Sequence, residues 1–160
     1  MTNNGILSGK KILVVDDEED VLETIKEQLS VCDITTANNF ETAKKYLENE
    51  KFDLAILDIM GVKGFDLLYY AKKNKTRAVM LTARAMNAES MQKSADKGAV
   101  SFLPKEEIFK LEEWIEEVFG ELQKGRSHWR KLEERMGDRF KKEWGEMWDR
   151  IKFPRDLDID

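Results

Sequence analysis

The chain has 160 residues, of which 41% are hydrophobic and 37% are charged, and its formal net charge is −5. This composition is typical of one globular domain with an appendage, because two full domains would each have only a small core. No run approaches the roughly 18 to 20 apolar residues that a membrane span needs, and the N-terminus does not resemble a signal peptide. We therefore expect a cytoplasmic protein that neither spans a membrane nor is secreted through a signal peptide.

The chain has one cysteine, Cys32, and one histidine, His128. A single cysteine excludes an internal disulfide, and these two residues cannot build a zinc cage. A hydrolase with a serine or cysteine nucleophile is also disfavoured, since such a nucleophile needs a nearby histidine. Any chemistry must therefore depend on carboxylates, lysine and hydroxyl groups. We interpret His128 as an exposed residue at the start of a helix.

Strand and helix patterns alternate five times in the first part of the chain. Apolar runs predict strands over 12–15, 54–57, 78–81 and 99–103, and the β-branched segment 33–37 predicts an edge strand. Apolar residues three and four apart predict helices over 21–29, 40–47, 65–71, 86–97 and 108–122. This alternation is typical of βαβ units, so we predict an α/β fold with an open parallel sheet and helices on both faces.

Polar side chains follow four of these strands. Asp16, Asp17 and Glu18 follow the first strand, and Asp58, Thr82 and Lys105 stand at or after the ends of the later ones. In an open parallel sheet these ends share one edge, where ligands bind. Two carboxylates about 4 Å apart repel each other by about 4 kcal/mol at an effective dielectric near 20. The all-oxygen set therefore favours a hard cation, above all Mg²⁺.

Each of these residues alone has an ordinary structural interpretation as a turn, a helix cap or a surface charge. Together, in this order, they resemble the receiver domain of two-component response regulators. The matching segments are KILVVDDE (11–18), LAILD (54–58), VMLTA (79–83) and GAVSFLPK (98–105). The resemblance covers about 10–123 and implies a doubly wound, flavodoxin-like fold with five parallel strands.

The resemblance implies that Asp58 is the phosphoacceptor and receives its phosphoryl group from a histidine kinase or a phosphotransfer protein. It also implies that Asp17 binds Mg²⁺ directly, that Asp16 does so largely through water, and that Asp58 and the backbone carbonyl of Met60 add ligands. The loop after Asp58 lacks the proline that is typical of the family and is about two residues shorter.

The resemblance further implies that Thr82 and Lys105 contact phosphoryl oxygens, and that Phe102 is the aromatic residue that turns inward on activation. In the family, the lysine is usually followed by a proline in a cis peptide bond. Here Pro104 precedes Lys105 and Glu106 follows it. Because a cis bond before a residue other than proline costs about 2.5 to 4 kcal/mol, we predict a trans bond after Lys105.

Two functions compete at this point. The first is a signalling phosphoacceptor, not an enzyme in its own right, which catalyses at most its own phosphorylation and dephosphorylation. The second is a Mg²⁺-dependent aspartyl-phosphate phosphotransferase or phosphatase. Such enzymes usually have a second aspartate two residues after the nucleophile, and here that position is Met60. The signalling function is therefore favoured.

We divide the chain into an N-terminal tail (1–9), a receiver domain (10–123) and a helical extension (124–160), whose acidic tail (153–160) we expect to be frayed. One face of a predicted amphipathic helix within 126–152 is apolar; it comprises Trp129, Leu132, Met136, Phe140, Trp144, Met147 and Ile151. Gly137 and Gly145 are weak helix formers, which predicts a bend or break near one of them.

The apolar face of 126–152 has three interpretations. It packs on its own domain or on a second copy, it docks on a partner protein, or it lies on a membrane surface. As an output hypothesis, phosphorylation changes its exposure, by self-association or by docking. We expect no nucleic-acid partner, because the chain is acidic and no length remains for a helix-turn-helix.

Overall fold

Five parallel strands form one sheet in the computed structural model, which describes residues 4–83 and 87–154 of the chain. The strands are β1 (Lys11–Val15), β2 (Asp33–Ala37), β3 (Leu54–Asp58), β4 (Ala78–Thr82) and β5 (Ser101–Pro104). Their order across the sheet is β2-β1-β3-β4-β5, and all four pairings are parallel. This is the predicted doubly wound, flavodoxin-like topology, with β2 at one edge as expected.

A helix follows each strand, as the periodicity predicts, and a short helix that was not predicted precedes β1. The helices are α1 (Asn4–Leu7), α2 (Glu19–Gln28), α3 (Phe40–Asn49), α4 (Gly64–Lys73), α5 (Ala88–Asp96), a 3-10 helix (Lys105–Lys110), α6 (Leu111–Gln123), α7 (Trp129–Trp144) and α8 (Glu146–Asp149). Every residue of β3 and β4 is buried. Because successive side chains of a strand point to opposite faces, helices must cover both faces of the sheet.

The N-terminal segment is more ordered than the sequence analysis expected. Residues 4–7 form α1, which packs against α6, and the side chain of Leu7 is fully buried. A single leucine shortly before a strand forms no periodic pattern, so the sequence does not predict its burial. Leu7 is buried because α1 packs against α6.

The extension packs on its own domain. Helix α7 contacts β5, and the four apolar residues nearest its start, Trp129, Leu132, Met136 and Phe140, are buried. Helix α7 runs through Gly137 and ends before Gly145, whose φ of 56° is a left-handed conformation that glycine adopts without strain. Of the three interpretations of the apolar face, this arrangement supports packing on its own domain.

The chain after α8 folds back onto α7. The ring of Phe153 stacks on Trp129, with ring centroids 4.8 Å apart and planes 7° apart, so Phe153 is not part of a frayed end. The remaining predicted frayed residues, 155–160, lie outside the described part of the chain.

The prediction that His128 is exposed is wrong, because its side chain is completely buried. His128 Nδ1 lies 2.7 Å from Ser101 Oγ, and His128 Nε2 lies 3.0 Å from Glu117 Oε1. The indole N–H of Trp114 donates to the same Ser101 oxygen at 3.2 Å. The spacing of apolar residues along the sequence predicts which face of a helix is buried. It does not predict polar partners such as these, which come from β5 and α6.

Candidate functional site

The carboxyl end of the sheet brings the predicted site residues together. Asp16 follows β1, Asp58 is the last residue of β3, Thr82 is the last residue of β4, and Lys105 follows β5. Strand β3 lies between β1 and β4, and β4 pairs with β5, with Thr82 opposite Pro104. The order of the strands therefore places an acidic pair, a hydroxyl and an ammonium along one edge.

Lys105 is the centre of a charged cluster. Its Nζ lies 2.7 Å from Asp16 Oδ2, 3.2 Å from Asp58 Oδ1 and 3.2 Å from Glu18 Oε1. Asp16 and Asp58 are buried, and only 13% of the Lys105 side chain is exposed. The ammonium of a largely buried lysine thus offsets the repulsion between two buried carboxylates. The resemblance gave no role to Glu18, which stands beside Asp16 and Asp17 at the end of the first strand.

The protonation equilibria of the pocket follow from burial and pairing. Burial raises the pKa of Asp16 above its ordinary value, although its contacts with Lys105 and with the Glu18 N–H act in the opposite direction. For Lys105, burial acts to lower the pKa, but the contact with Asp16 and the charges of Asp16 and Asp58 outweigh it and raise the pKa. Lys105 is therefore a cation at neutral pH.

The loop after β3 wraps closely around the acidic pocket. The backbone N–H of Gly61 donates to Asp58 Oδ2 at 3.0 Å, which fixes that carboxylate. A Cβ on Gly61 would lie 2.3 Å from Asp17 Oδ1, so the absence of a side chain is what lets this loop approach Asp17. The side chain of Met60 is 79% exposed, and the metal-binding role of its carbonyl stays a prediction.

The two residues expected to respond to activation are both buried. Thr82 Oγ1 has a long contact of 3.5 Å with the carbonyl of Ala83, and it makes no shorter hydrogen bond with the described residues. Phe102 lies opposite Met80 in the sheet and is fully buried, so its ring already points inward. Their switching roles stay predictions. The peptide bond after Lys105 is trans, as predicted.

Three carboxylates at the end of β1 form a candidate cation site. One oxygen each from Asp16, Asp17 and Glu18 lies within 4.8 Å of the others, and Asp17 and Glu18 are exposed to solvent. Carboxylate oxygens open to water match the preference of Mg²⁺ for a few carboxylates and several waters. The donor set therefore fits the predicted metal.

The family is shown by comparison with known proteins. The family model described as the response regulator receiver domain matches residues 12–119. The chain therefore belongs to the response regulator receiver family, whose members are signalling proteins of two-component systems. Receiver domains of this family are phosphorylated by histidine kinases and generally bind Mg²⁺.

Individual relatives agree with this assignment. The chain is 41% identical over 81 residues to the alkaline phosphatase synthesis transcriptional regulatory protein PhoP of Bacillus subtilis, covering 47% of this chain and 34% of PhoP. It is 32% identical over 124 residues to the transcriptional regulatory protein CpxR of Escherichia coli K12, covering 74% of this chain and 51% of CpxR. The chain thus spans between a third and a half of these relatives.

A solved structure of similar fold is the CheY-like receiver domain protein of Methanospirillum hungatei, at 30% identity and a TM-score of 0.65. The match covers 73% of this chain and 98% of that protein. Because the match accounts for almost the whole of that protein, the remainder of this chain has no counterpart in it.

Two further expectations concern membrane-spanning helices and nucleic-acid partners. Among the described residues, no helix has both the length and the apolar character needed to cross a membrane. The expectation of no nucleic-acid partner is not supported by the comparisons, because PhoP and CpxR are named as transcriptional regulatory proteins.

Proposed function

We propose that this protein receives a phosphoryl group on Asp58 from a histidine kinase or a phosphotransfer protein. The observation that carries the proposal is the buried Asp16–Lys105–Asp58 cluster at the carboxyl end of the sheet. In the transfer, a carboxylate oxygen of Asp58 forms a bond to phosphorus while the bond from phosphorus to the donor histidine nitrogen breaks. The donor leaves as the neutral imidazole after it takes up a proton.

The residues around Asp58 have distinct parts in this step. The Gly61 N–H holds one carboxylate oxygen, so that the carboxylate is oriented before the donor arrives. Lys105 stays charged and pairs with an oxygen of the transferred group, which offsets the negative charge that phosphorylation adds. Thr82, at the end of the adjacent strand, supplies a hydroxyl for another phosphoryl oxygen. Mg²⁺, held by Asp16 and Asp17, would supply further stabilisation of charge on the phosphoryl oxygens.

The competing enzymatic function lacks a residue for its second step. Hydrolysis or onward transfer from an aspartyl phosphate needs an acid or base beside it, and the second position after Asp58 is Met60. Its thioether has no titratable proton, and its side chain is mostly exposed to solvent. The pocket therefore favours a signalling phosphoacceptor.

Phosphorylation with a small phosphodonor and Mg²⁺ tests the assignment of Asp58. We expect the intact mass of the wild-type protein to rise by one phosphoryl group, whereas Asp58→Asn should gain none, because its amide is not a nucleophile. Asp53→Asn, which alters an aspartate one residue before β3, is the matched control and should be phosphorylated like the wild type. Equal uptake by Asp58→Asn would refute the assignment.

Substitution of Gly61 tests the cation site. Gly61→Ala places a Cβ against the carboxylate of Asp17, which must move, so we expect Mg²⁺ affinity to fall by about 3- to 10-fold. Calorimetric titration of Mg²⁺ measures the change. Gly120→Ala, on α6 with no atom within 4 Å of the new Cβ, is the control and should bind Mg²⁺ normally. Asp17→Asn removes the carboxylate itself, and an unchanged Mg²⁺ affinity in that variant would remove Asp17 from the metal site.

A further inference from the structure

One arginine of the extension contacts the segment that carries Lys105. The guanidinium of Arg139, in the middle of α7, pairs with Glu106 and with Glu107, the two residues that directly follow Lys105. The Arg139 Nη1 to Glu107 Oε1 distance is 2.9 Å, and Arg139 Nε lies 3.0 Å from Glu143 Oε1 on the same helix. Arg139 thus connects α7 to the 3-10 helix (Lys105–Lys110) through two adjacent carboxylates.

The helix that carries Arg139 is itself firmly attached to the domain. Phe140, the next residue, is fully buried, and so is Trp129, whose indole N–H donates to the Ala99 carbonyl at 2.9 Å. One turn before Arg139, Arg135 pairs with Glu117 of α6 at 2.9 Å. Contacts before and after Arg139 therefore hold α7 against the domain. The guanidinium has a defined position, to which the carboxylates of the 3-10 helix can bind.

The position of the 3-10 helix decides where the Lys105 ammonium can reach. A lysine side chain has four rotatable carbon bonds, so its backbone must be held if the ammonium is to meet two particular carboxylates. Three sets of contacts hold Lys105 and its neighbours. They are the pairing of β5 with β4 before Lys105, the ion pairs of the Lys105 ammonium, and the contacts of Arg139 just after Lys105. The usual proline after the family's lysine is absent here, and Glu106 in its place is one of the residues that Arg139 contacts.

We infer that Arg139 is a positioning residue, which holds the 3-10 helix so that Lys105 reaches the phosphorylation pocket. This inference rests on the proposed phosphorylation of Asp58. The inference also links the extension to the pocket energetically. A change that loosens α7 lowers the affinity of the pocket for a phosphoryl group. By reciprocity, phosphorylation changes the equilibrium constant for the packing of α7 on the domain by the same factor.

The test compares Arg139→Gln with Arg130→Gln. Arg130 lies on the same helix, is mostly exposed and, within 4–83 and 87–154, has a single ion pair, a 3.8 Å contact with Glu134. Its substitution therefore removes the same charge without touching the 3-10 helix. We expect Arg139→Gln to slow phosphorylation by a small phosphodonor, and to weaken beryllofluoride binding, by about 3- to 10-fold. Arg130→Gln should match the wild type, and Arg139→Lys should recover part of the loss.

A double-mutant cycle separates positioning from general destabilisation. In a Lys105→Ala background, Arg139→Gln should have no further effect on the phosphorylation rate, since the group that it positions is gone. Hydrogen exchange of residues 105–110 should be faster in Arg139→Gln alone. Equal rates for the wild type and Arg139→Gln, or a loss that persists in the Lys105→Ala background, would overturn the inference and leave the proposed function standing. A wild-type protein that takes up no phosphate would instead refute the proposed function, and the inference with it.

Discussion

Replacing Trp129 by alanine is expected to lower the free energy of unfolding by about 3 to 5 kcal/mol. The indole is completely buried between the domain and the segment that follows α8, where it stacks on Phe153. Its N–H also donates to the backbone carbonyl of Ala99, which would lose its partner in the variant. The effect is large because the substitution leaves a cavity and an unpaired carbonyl together.

Chemical denaturation of the full chain measures this loss. Phe109→Ala is the control, since Phe109 is an aromatic residue of the 3-10 helix with 64% of its surface exposed, and it should cost little. A loss near 3 to 5 kcal/mol in Trp129→Ala alone would mean that the extension is part of the folded domain. A loss as small as that of the control would mean that α7 is a loosely attached appendage, and the packing interpretation would fail.

Replacing His128 by alanine is expected to cost about 2 to 4 kcal/mol of unfolding free energy near neutral pH, because the buried Ser101 and the partly buried Glu117 both lose a hydrogen bond. The indole N–H of Trp114 is a donor only, so it occupies one lone pair of Ser101 Oγ. The Ser101 hydroxyl can then donate to His128 Nδ1, and His128 Nε2–H to Glu117. Loss of the imidazole removes both contacts and opens a cavity.

This cost should depend on pH in a definite direction. Burial acts to raise the pKa of Glu117, but the contact with His128 and the charges of Arg135 and Lys131 outweigh it, so that the pKa is lowered. A lowered pKa in the folded state stabilises the fold above the ordinary pKa of glutamate, and this contribution disappears as the pH falls through the folded-state value. The part of the His128→Ala cost that comes from Glu117 should therefore shrink under acidic conditions.

Unfolding curves of the wild type and His128→Ala at several pH values check this expectation, with Glu117→Gln as the companion variant. In the Glu117→Gln background the cost of His128→Ala should depend less on acid, because the contribution of the titrating carboxylate is absent. The same acid dependence with and without Glu117 would mean that another group is responsible.

The sequence alone determined the sheet and most of the candidate site. Continuous apolar runs indicate strands buried on both faces, and their alternation with helical periodicity predicts a parallel sheet whatever the detailed packing. Asp16, Asp58, Thr82 and Lys105 were predictable because each stands at the end of such a run, and parallel strands bring those ends to one edge. All of these features follow from which residue types stand next to one another in the sequence.

Only the tertiary structure decided how the extension is attached. The contacts of Arg139 with Glu106 and Glu107 join residues more than 30 positions apart, and charged residues are so frequent after position 105 that no spacing selects this pair. His128 was misjudged for a similar reason, since its burial depends on a serine of β5 and a glutamate of α6 that meet only in the fold. Local periodicity records which face of a segment is apolar, whereas a buried polar contact is defined by partners from distant elements, and those partners come together only when the chain has folded.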